Sequence, residues 1–258
     1  MANIFSEYAE YYDLLYRDKA YRAEAEYVAS LVRRYSPKRK RATAVLDLAC
    51  GTGRHAEELA RLGFRVDGSD VSSDMIRHAR RCASHAGRFF EYSFQEADRI
   101  GGKYDAVLSM FSAINYIVDY DDLAVTLRNI HRLLRRGGIF IFDYWNGNAV
   151  VRDHSPVRIL RKKDGNREIL RYSRTEVDIL EQLARVDFTF LCLDGDRKRV
   201  EFQERHLIRY FHFKEMETYI RLGGFDIVYR SPFLELDGAT DPYTWNVSIV
   251  AKKREGNR

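Results

Sequence analysis

The stretch from Val45 to His55 constrains this chain more than any other part of its sequence. It reads Val-Leu-Asp-Leu-Ala-Cys-Gly-Thr-Gly-Arg-His, a short apolar run that leads into two closely spaced glycines. The apolar run predicts a buried strand, and the helical spacing of apolar residues after it predicts a helix. Because Gly51 and Gly53 permit a sharp turn and leave bare backbone for a ligand, the stretch predicts a nucleotide-binding site.

The residues around this turn narrow the kind of nucleotide. A phosphate-binding P-loop is excluded because no Gly-Lys-Ser/Thr follows the glycines, while Ala56 meets the small-residue requirement of a dinucleotide fingerprint. Asp47 opens the motif, and Asp70 ends the next apolar run. A carboxylate at that place in the chain can accept both ribose hydroxyls of an adenosine. The alternative is an ordinary tight turn with no ligand.

Four ordered motifs resemble those of the class I S-adenosylmethionine-dependent methyltransferases. They are Leu46–Gly53, Gly68–Ile76, Tyr104–Met110 and Leu134–Asp143. The first is similar to the family's glycine-rich turn, and the second to the segment that carries its ribose-binding acid. The resemblance implies S-adenosylmethionine as cofactor and an α/β fold. The implied fold is a Rossmann-like, doubly wound sheet of seven strands in the order 3-2-1-4-5-7-6, with the last strand antiparallel.

The resemblance also implies which residues hold the cofactor. The run Tyr-Asp-x-x-Tyr, which ends at Tyr16, resembles the N-terminal cap of small-molecule methyltransferases, and tyrosine faces suit a sulfonium cation. Where the family usually presents an adenine-binding Asp, this chain has Ser-Phe-Gln-Glu at 93–96, so Ser93, Phe94 and Gln95 are alternative base contacts. The predicted cofactor-binding residues are Tyr12, Tyr16, Asp47, Ala49, Gly51, Thr52, Gly53, Asp70, Val71, Met75, Ser93, Phe94 and Met110.

Polar and aromatic residues follow the fourth and fifth predicted strands, at the edge where open α/β sheets bind ligands. Asn115 and Tyr116 follow the fourth strand, whereas Asp143, Tyr144 and Trp145 end the fifth. We predict catalytic roles for Tyr116 and Asp143, and substrate contacts for the other three, with an exposed Tyr-Trp pair at the strand tip. No proline lies between positions 38 and 155, so the chain lacks the Pro-Pro motif of enzymes that methylate nucleic-acid bases.

Between Asn148 and Phe213 the pattern changes to four long alternating stretches with Asp-Gly turn signals, which predicts an inserted antiparallel β-sheet. His206, Arg209 and Tyr210 lie in its last strand, predicted to reach position 211. They resemble a His-x-x-Arg-Tyr pattern of amino-sugar N,N-dimethyltransferases and polysaccharide-cluster methyltransferases. In a strand His206 and Tyr210 share a face that Arg209 does not, unless the strand bulges. We predict His206 as a catalytic base and the other two as substrate-binding residues.

The composition indicates the cellular compartment of the protein and the kinds of partner it can bind. The three cysteines include no Cys-x-x-Cys pair, which predicts a reducing cytoplasmic environment and no metal site. The chain has no apolar run of membrane-spanning length and does not begin with a signal-peptide pattern, so no membrane association is expected. The net charge of +5 permits an anionic partner. A solvated basic surface is the favoured interpretation, also for the linker at 36–41, so nucleic acid is not the favoured partner.

These patterns predict a domain organisation. Residues 1–36 form a helical cap, residues 37–148 and 214–252 the methyltransferase core, residues 149–213 the inserted sheet, and residues 253–258 a disordered tail. The inserted sheet serves as a substrate lid or as the surface of a homodimer.

The predicted function is methyl transfer from S-adenosylmethionine to a small molecule, namely N-methylation of an amino sugar or related amine, with a nucleotide-linked sugar as one such acceptor. The alternatives within the class are O-methylation of a sugar or other hydroxyl compound, and methylation of tRNA or rRNA. From other classes, an NAD-dependent oxidoreductase would bind NADH instead, and a non-catalytic binding module would bind neither cofactor.

Overall fold

The structure, a computed structural model, describes residues 19–37, 43–195 and 197–255. Its strands are β1 (Ala44–Leu48), β2 (Arg65–Asp70), β3 (Phe89–Glu91), β4 (Tyr104–Ser109), β5 (Leu134–Trp145), β6 (Val157–Asp164), β7 (Arg167–Asp178), β8 (Leu183–Asp194), β9 (Arg197–Arg209), β10 (Phe225–Pro232) and β11 (Asn246–Lys253). Its α-helices are α1 (Tyr21–Tyr35), α2 (Arg54–Arg61), α3 (Ser73–Cys82), α4 (Tyr120–Leu133), α5 (Gly147–Asp153) and α6 (Phe213–Leu222).

The chain divides into two units, each with a β-sheet of its own. The described residues of Tyr21–Val150 and Tyr210–Arg258 form the first unit, and those of Val151–Arg209 belong to the second. Tyr12 and Tyr16 lie outside the described residues, so their contact with the cofactor stays a prediction. The predicted domain boundaries also stay a prediction.

The first unit contains a seven-stranded sheet in the order β3-β2-β1-β4-β5-β11-β10. Strands β1 to β5 pair in parallel, whereas β11 runs antiparallel to both β5 and β10. The predicted strand order and the antiparallel last strand are therefore confirmed. The carboxyl ends of β1, β2, β4 and β5 meet at one edge, which is where the predicted site residues follow.

Helices cover both faces of this sheet. Leu31 of α1, Leu59 of α2 and Ile76 of α3 belong to one buried apolar cluster. Leu127 of α4 and Ile220 of α6 belong to the other. Neighbouring strand residues alternate between the two clusters because successive side chains of a strand point to opposite faces. The sheet is thus buried on both sides, as a doubly wound fold requires.

The second unit contains an antiparallel sheet in the order β6-β7-β8-β9. The predicted inserted sheet of four strands is confirmed, but its last strand is shorter than expected. β9 ends at Arg209 because the backbone of Phe211 pairs elsewhere: its N–H donates to the Trp145 carbonyl at 3.1 Å, and its carbonyl accepts from the Gly147 N–H at 3.0 Å. Tyr210 therefore does not share a strand with His206, so the strand alternation that predicts a common face for their side chains does not extend to Tyr210.

A buried carboxylate joins β2 to its neighbours. Asp67 Oδ2 accepts hydrogen bonds from Arg88 Nη2 and from the Tyr104 hydroxyl, both at 2.9 Å, and Asp67 Oδ1 accepts from the Arg88 N–H at 2.9 Å. Burial raises the pKa of Asp67, but the hydrogen bonds from Arg88 and Tyr104 outweigh it, so that the pKa lies below its ordinary value. The ionised form is the one that stabilises the fold.

We expect Asp67→Asn to lower the free energy of unfolding by about 2–3 kcal/mol at neutral pH, since hydrogen bonds to a charged group are lost. A lowered folded-state pKa contributes stability above the unfolded pKa, roughly 4 for Asp, and that contribution is lost as the pH falls through the folded value. The gap between wild type and variant should therefore close in acid. Urea denaturation at several pH values measures this difference in the free energy of unfolding. Asp226→Asn, which removes an exposed ion pair with Arg254, is the control and should cost at most about 1 kcal/mol.

Candidate active site

The turn between β1 and α2 holds three residues in the left-handed backbone region. Ala49, Gly51 and Gly53 have φ values of 60°, 54° and 75°. A Cβ added to Gly51 would meet nothing within 4 Å, whereas one added to Gly53 would lie 3.0 Å from the Cβ of Ala79 in α3. Gly53 thus allows α3 to pack closely against the turn, and Gly51 borders open space. A ligand can lie against the backbone at Gly51.

Asp70, at the end of β2, faces this turn. Its Oδ2 accepts a hydrogen bond from the Gly51 N–H and its Oδ1 accepts from the Ser72 N–H, both at 2.9 Å. A carboxylate has about four acceptor positions, so two remain for the hydroxyls of a ribose. Val71 follows with 72% of its surface exposed, which provides an apolar contact beside the carboxylate. The geometry matches a nucleoside site.

The other predicted cofactor residues on the first two strands border the same turn. Asp47 is buried in β1, Ala49 is exposed in the turn, and Thr52 is half-buried. Met75 lies in the first turn of α3, where its N–H donates to the Ser72 hydroxyl at 3.4 Å. Ser72 is therefore the N-cap of α3.

The segment after β3 is held by its own side chains. The Ser93 hydroxyl and N–H donate to Glu96 Oε2 at 3.1 and 3.4 Å. The Phe94 ring is half-buried and packs against one of the two apolar clusters of the sheet. The role of Ser93 or Phe94 in adenine binding stays a prediction.

The segment after β4 turns sharply before it reaches the predicted substrate residues. Met110 is buried, and Phe111 and Ser112 follow with φ values of 62° and 54°. Asn115 is fully buried and its Oδ1 accepts from the Trp145 N–H at 3.3 Å, whereas Tyr116 is 52% exposed. Of this pair, Tyr116 has the exposed side chain, and its predicted catalytic role stays a prediction.

The tip of β5 is less exposed than the sequence suggests. Tyr144 has 1% of its surface exposed, and its ring packs near those of Phe142 and Phe211. Burial raises its pKa, as expected for a phenol inside the core. The prediction of an exposed Tyr144 is wrong because β5 is a central strand with both faces covered. Trp145 is half-buried and meets Trp245 edge-on, with ring centroids 5.5 Å apart.

Asp143, predicted to be catalytic, is fully buried. Its Oδ2 accepts hydrogen bonds from both the N–H and the hydroxyl of Ser112, each at 2.8 Å. The carboxylate thus joins the end of β5 to the turn after β4.

The residues of the predicted His-x-x-Arg-Tyr pattern have different surroundings. His206 lies 3.3 Å from Glu204 through its Nε2 and meets the Phe188 ring edge-on. Arg209 is buried and donates to the Glu181 carbonyl at 2.9 Å. Tyr210 is fully buried in the first unit, with its ring edge-on to His212.

Sequence reasoning missed a buried pair and an aromatic cluster beside the turn. His55 Nε2 lies 2.8 Å from Glu24 Oε2, and both side chains are buried. The His55 ring is 5.1 Å from that of Tyr21 and 4.9 Å from that of Phe111, which is 5.9 Å from Phe233. The sequence offered only one signal for these contacts, namely that His55 follows the glycine turn and Phe111 follows β4.

Comparison with known proteins identifies the family. Residues 45–138 match a family described as "Methyltransferase domain". The chain is 30% identical over 229 residues to dTDP-3-amino-3,4,6-trideoxy-alpha-D-glucopyranose N,N-dimethyltransferase of Streptomyces venezuelae, across 86% of this chain and 92% of that protein. The chain belongs to the class I S-adenosylmethionine-dependent methyltransferases.

Two further proteins resemble this methyltransferase over nearly all of its length. A dTDP-3-amino-3,6-dideoxy-alpha-D-glucopyranose N,N-dimethyltransferase of Streptomyces fradiae is 28% identical over 253 residues, covering 92% of this chain and 94% of that protein. The crystal structure of Streptomyces venezuelae DesVI aligns with a TM-score of 0.79 and 28% identity, covering 96% of this chain and 98% of that one. The predicted family, fold and cofactor are confirmed.

The turn of this methyltransferase fits S-adenosylmethionine. The backbone at Gly51 borders open space, Asp70 keeps acceptor capacity for a ribose, and exposed Val71 offers an apolar surface for the base. When bound, the cofactor supplies a methyl group already activated by a sulfonium. Within residues 19–37, 43–195 and 197–255, we find no group of three metal-binding side chains and no helix with the length and apolar content of a membrane span.

Proposed function

We propose that this methyltransferase methylates the amino group of a nucleotide-linked amino sugar. One observation carries the proposal: the similarity to the Streptomyces venezuelae dimethyltransferase covers 92% of that protein and extends well beyond the family match at 45–138. Residues outside that match include β6 to β9 and the segments that carry His206 and Tyr210. Similarity confined to the cofactor-binding part of the fold would not favour one class of methyl acceptor over another.

The residues proposed to hold the cofactor are those of the turn after β1, together with Asp70 and Val71. Methyl transfer needs an acceptor lone pair aligned with the activated carbon and the exclusion of water. A neutral amine meets this need when it is held in place, whereas an ammonium or a hydroxyl must also lose a proton. Tyr116, exposed at the sheet edge, is the proposed group for holding the acceptor or taking its proton. The predicted role of His206 as a base stays a separate prediction.

We expect the purified enzyme to convert dTDP-3-amino-3,4,6-trideoxy-alpha-D-glucopyranose to products that carry one or two added methyl groups, because the amine lone pair is the nucleophile. Mass spectrometry after incubation with S-adenosylmethionine detects them. The matched control is the same sugar nucleotide with a hydroxyl in place of the amine, which should stay unmethylated. Methylation of the hydroxyl compound alone, or of tRNA alone, would contradict the proposal.

The formation of a homodimer and a cytoplasmic location of the enzyme both stay predictions.

A further inference from the structure

The turn that follows β4 is held in an uncommon conformation. Phe111 and Ser112 are consecutive non-glycine residues with φ values of 62° and 54°. A non-glycine residue in left-handed backbone is strained, and such strain persists only where the surrounding structure enforces it. The turn therefore needs a partner that holds it.

Asp143 is that partner. One of its oxygens accepts two hydrogen bonds from Ser112, from the N–H and from the hydroxyl, each at 2.8 Å. Both side chains are buried, so water competes little for these hydrogen bonds. A hydrogen bond to a buried carboxylate is stronger than one between neutral groups. Because the N–H and the hydroxyl of Ser112 meet the same oxygen, this contact holds the Ser112 side chain at a fixed position relative to its own N–H, and Ser112 is left-handed in that arrangement.

The end of β5 holds the same loop at a second point. Asn115 Oδ1 accepts from the Trp145 N–H at 3.3 Å, and Asn115 lies in a 3₁₀ turn, Ala113–Tyr116, that follows Ser112. An aromatic side chain flanks these two attachments on each side, Phe111 at 37% exposure and Tyr116 at 52%. The carboxyl edge of the sheet thus carries two aromatic side chains, each next to a residue that is hydrogen-bonded to the end of β5.

We propose that Asp143 is a positioning residue for the methyl acceptor. Its carboxylate keeps Phe111 and Ser112 left-handed and so fixes where Phe111 and Tyr116 meet the acceptor, instead of taking a proton from it. This inference rests on the proposed function for the identity of the acceptor, but the conformational part concerns the loop alone.

The experiment compares Asp143→Ala, Asp143→Asn, Ser112→Gly and the double variant Asp143→Ala/Ser112→Gly. In Asp143→Ala we expect kcat with the amino-sugar nucleotide to fall about 10- to 100-fold at every pH, as for a misplaced substrate contact. The pH profile of kcat/KM should keep its shape, and Asp143→Asn, which retains an acceptor oxygen, should lose less. Adding Ser112→Gly to Asp143→Ala should restore much of kcat, since glycine adopts this backbone without support.

Amide hydrogen exchange over residues 109–117 reports on the loop without any acceptor. Exchange should be faster by about tenfold or more in Asp143→Ala, because the loop opens more easily. Asp105→Ala is the matched control: Asp105 is equally buried in β4 but accepts from the Ala44 N–H at 2.9 Å, so this loop and its exchange should be unaffected.

Two results would overturn the inference. One is that Asp143→Ala loses an ionisation from the pH profile while loop exchange stays as in wild type, which would make Asp143 a proton acceptor. The other is that the double variant is as slow as Asp143→Ala. If the wild-type enzyme leaves the amino sugar unmethylated, the proposed function fails, and hydrogen exchange still decides whether Asp143 holds the loop.

Discussion

Replacing Asp70 by alanine is expected to weaken binding of S-adenosylmethionine by about 100- to 10,000-fold. The carboxylate has acceptor capacity for two ribose hydroxyls, and each hydrogen bond to a charged group contributes about 1.5–3 kcal/mol. It also orients the turn, since it accepts from the N–H groups of Gly51 and Ser72. Losing the ribose hydrogen bonds and losing the fixed orientation of the turn should both lower the affinity for the cofactor. Isothermal titration calorimetry with S-adenosylmethionine measures the loss.

The matched control for Asp70 is Asp74→Ala. Asp74 lies in the first turn of α3 and pairs with Arg77 on the surface, so its loss should leave cofactor affinity within about twofold. Circular dichroism shows whether each variant is folded. If Asp70→Ala does not fold, Asp70→Asn is the second variant: it keeps one acceptor oxygen for a backbone N–H and removes the negative charge, so it should also weaken binding. A folded Asp70 variant with wild-type affinity would refute the assignment.

Replacing Gly51 by alanine is expected to weaken cofactor binding while leaving the enzyme folded. The added methyl meets nothing within 4 Å in the protein, so it occupies the space where a ligand would approach the backbone. Forcing a methyl into a filled site costs about 1–3 kcal/mol, which corresponds to roughly 10- to 100-fold in affinity. Calorimetric titration and thermal denaturation together separate the two effects.

Gly63→Ala is the control for the backbone cost. Gly63 follows α2 with φ of 92°, and a Cβ there also meets nothing within 4 Å. Both variants should lose about 1–2 kcal/mol of stability from left-handed strain, yet Gly63→Ala should bind S-adenosylmethionine normally. Equal affinities in the two variants would show that Gly51 does not border the cofactor.

Much of the fold could be predicted because its signals are local. The apolar run before Gly51 predicts a strand, and the alternating stretches after Asn148 predict an antiparallel sheet; both are found. The burial of Tyr144 could not be predicted from the local sequence. Its burial depends on strands and side chains far along the chain, such as Phe211.

The candidate site divides in the same way. The glycine turn and Asp70 belong to adjacent elements of one β-α-β unit, so motif spacing was enough to place them together. The contact between Asp143 and Ser112 joins residues 31 positions apart. The pair of His55 and Glu24 is equally separated, at 31 positions. No local pattern predicts which distant donor a carboxylate will meet.

By itself, the sequence determined the cofactor turn, which follows from short-range rules: glycine for left-handed backbone, apolar runs for buried strands, and spacing for the ribose acid. The family and the order of the strands came from the resemblance of four sequence motifs to the class I methyltransferases. Only the tertiary structure decided which side chains at the sheet edge remain exposed and which are held inside. Exposure and hydrogen-bond pairing are set by the packing of elements distant in sequence, which is why Tyr116 is presented at the edge while Asp143 and Tyr144 are enclosed.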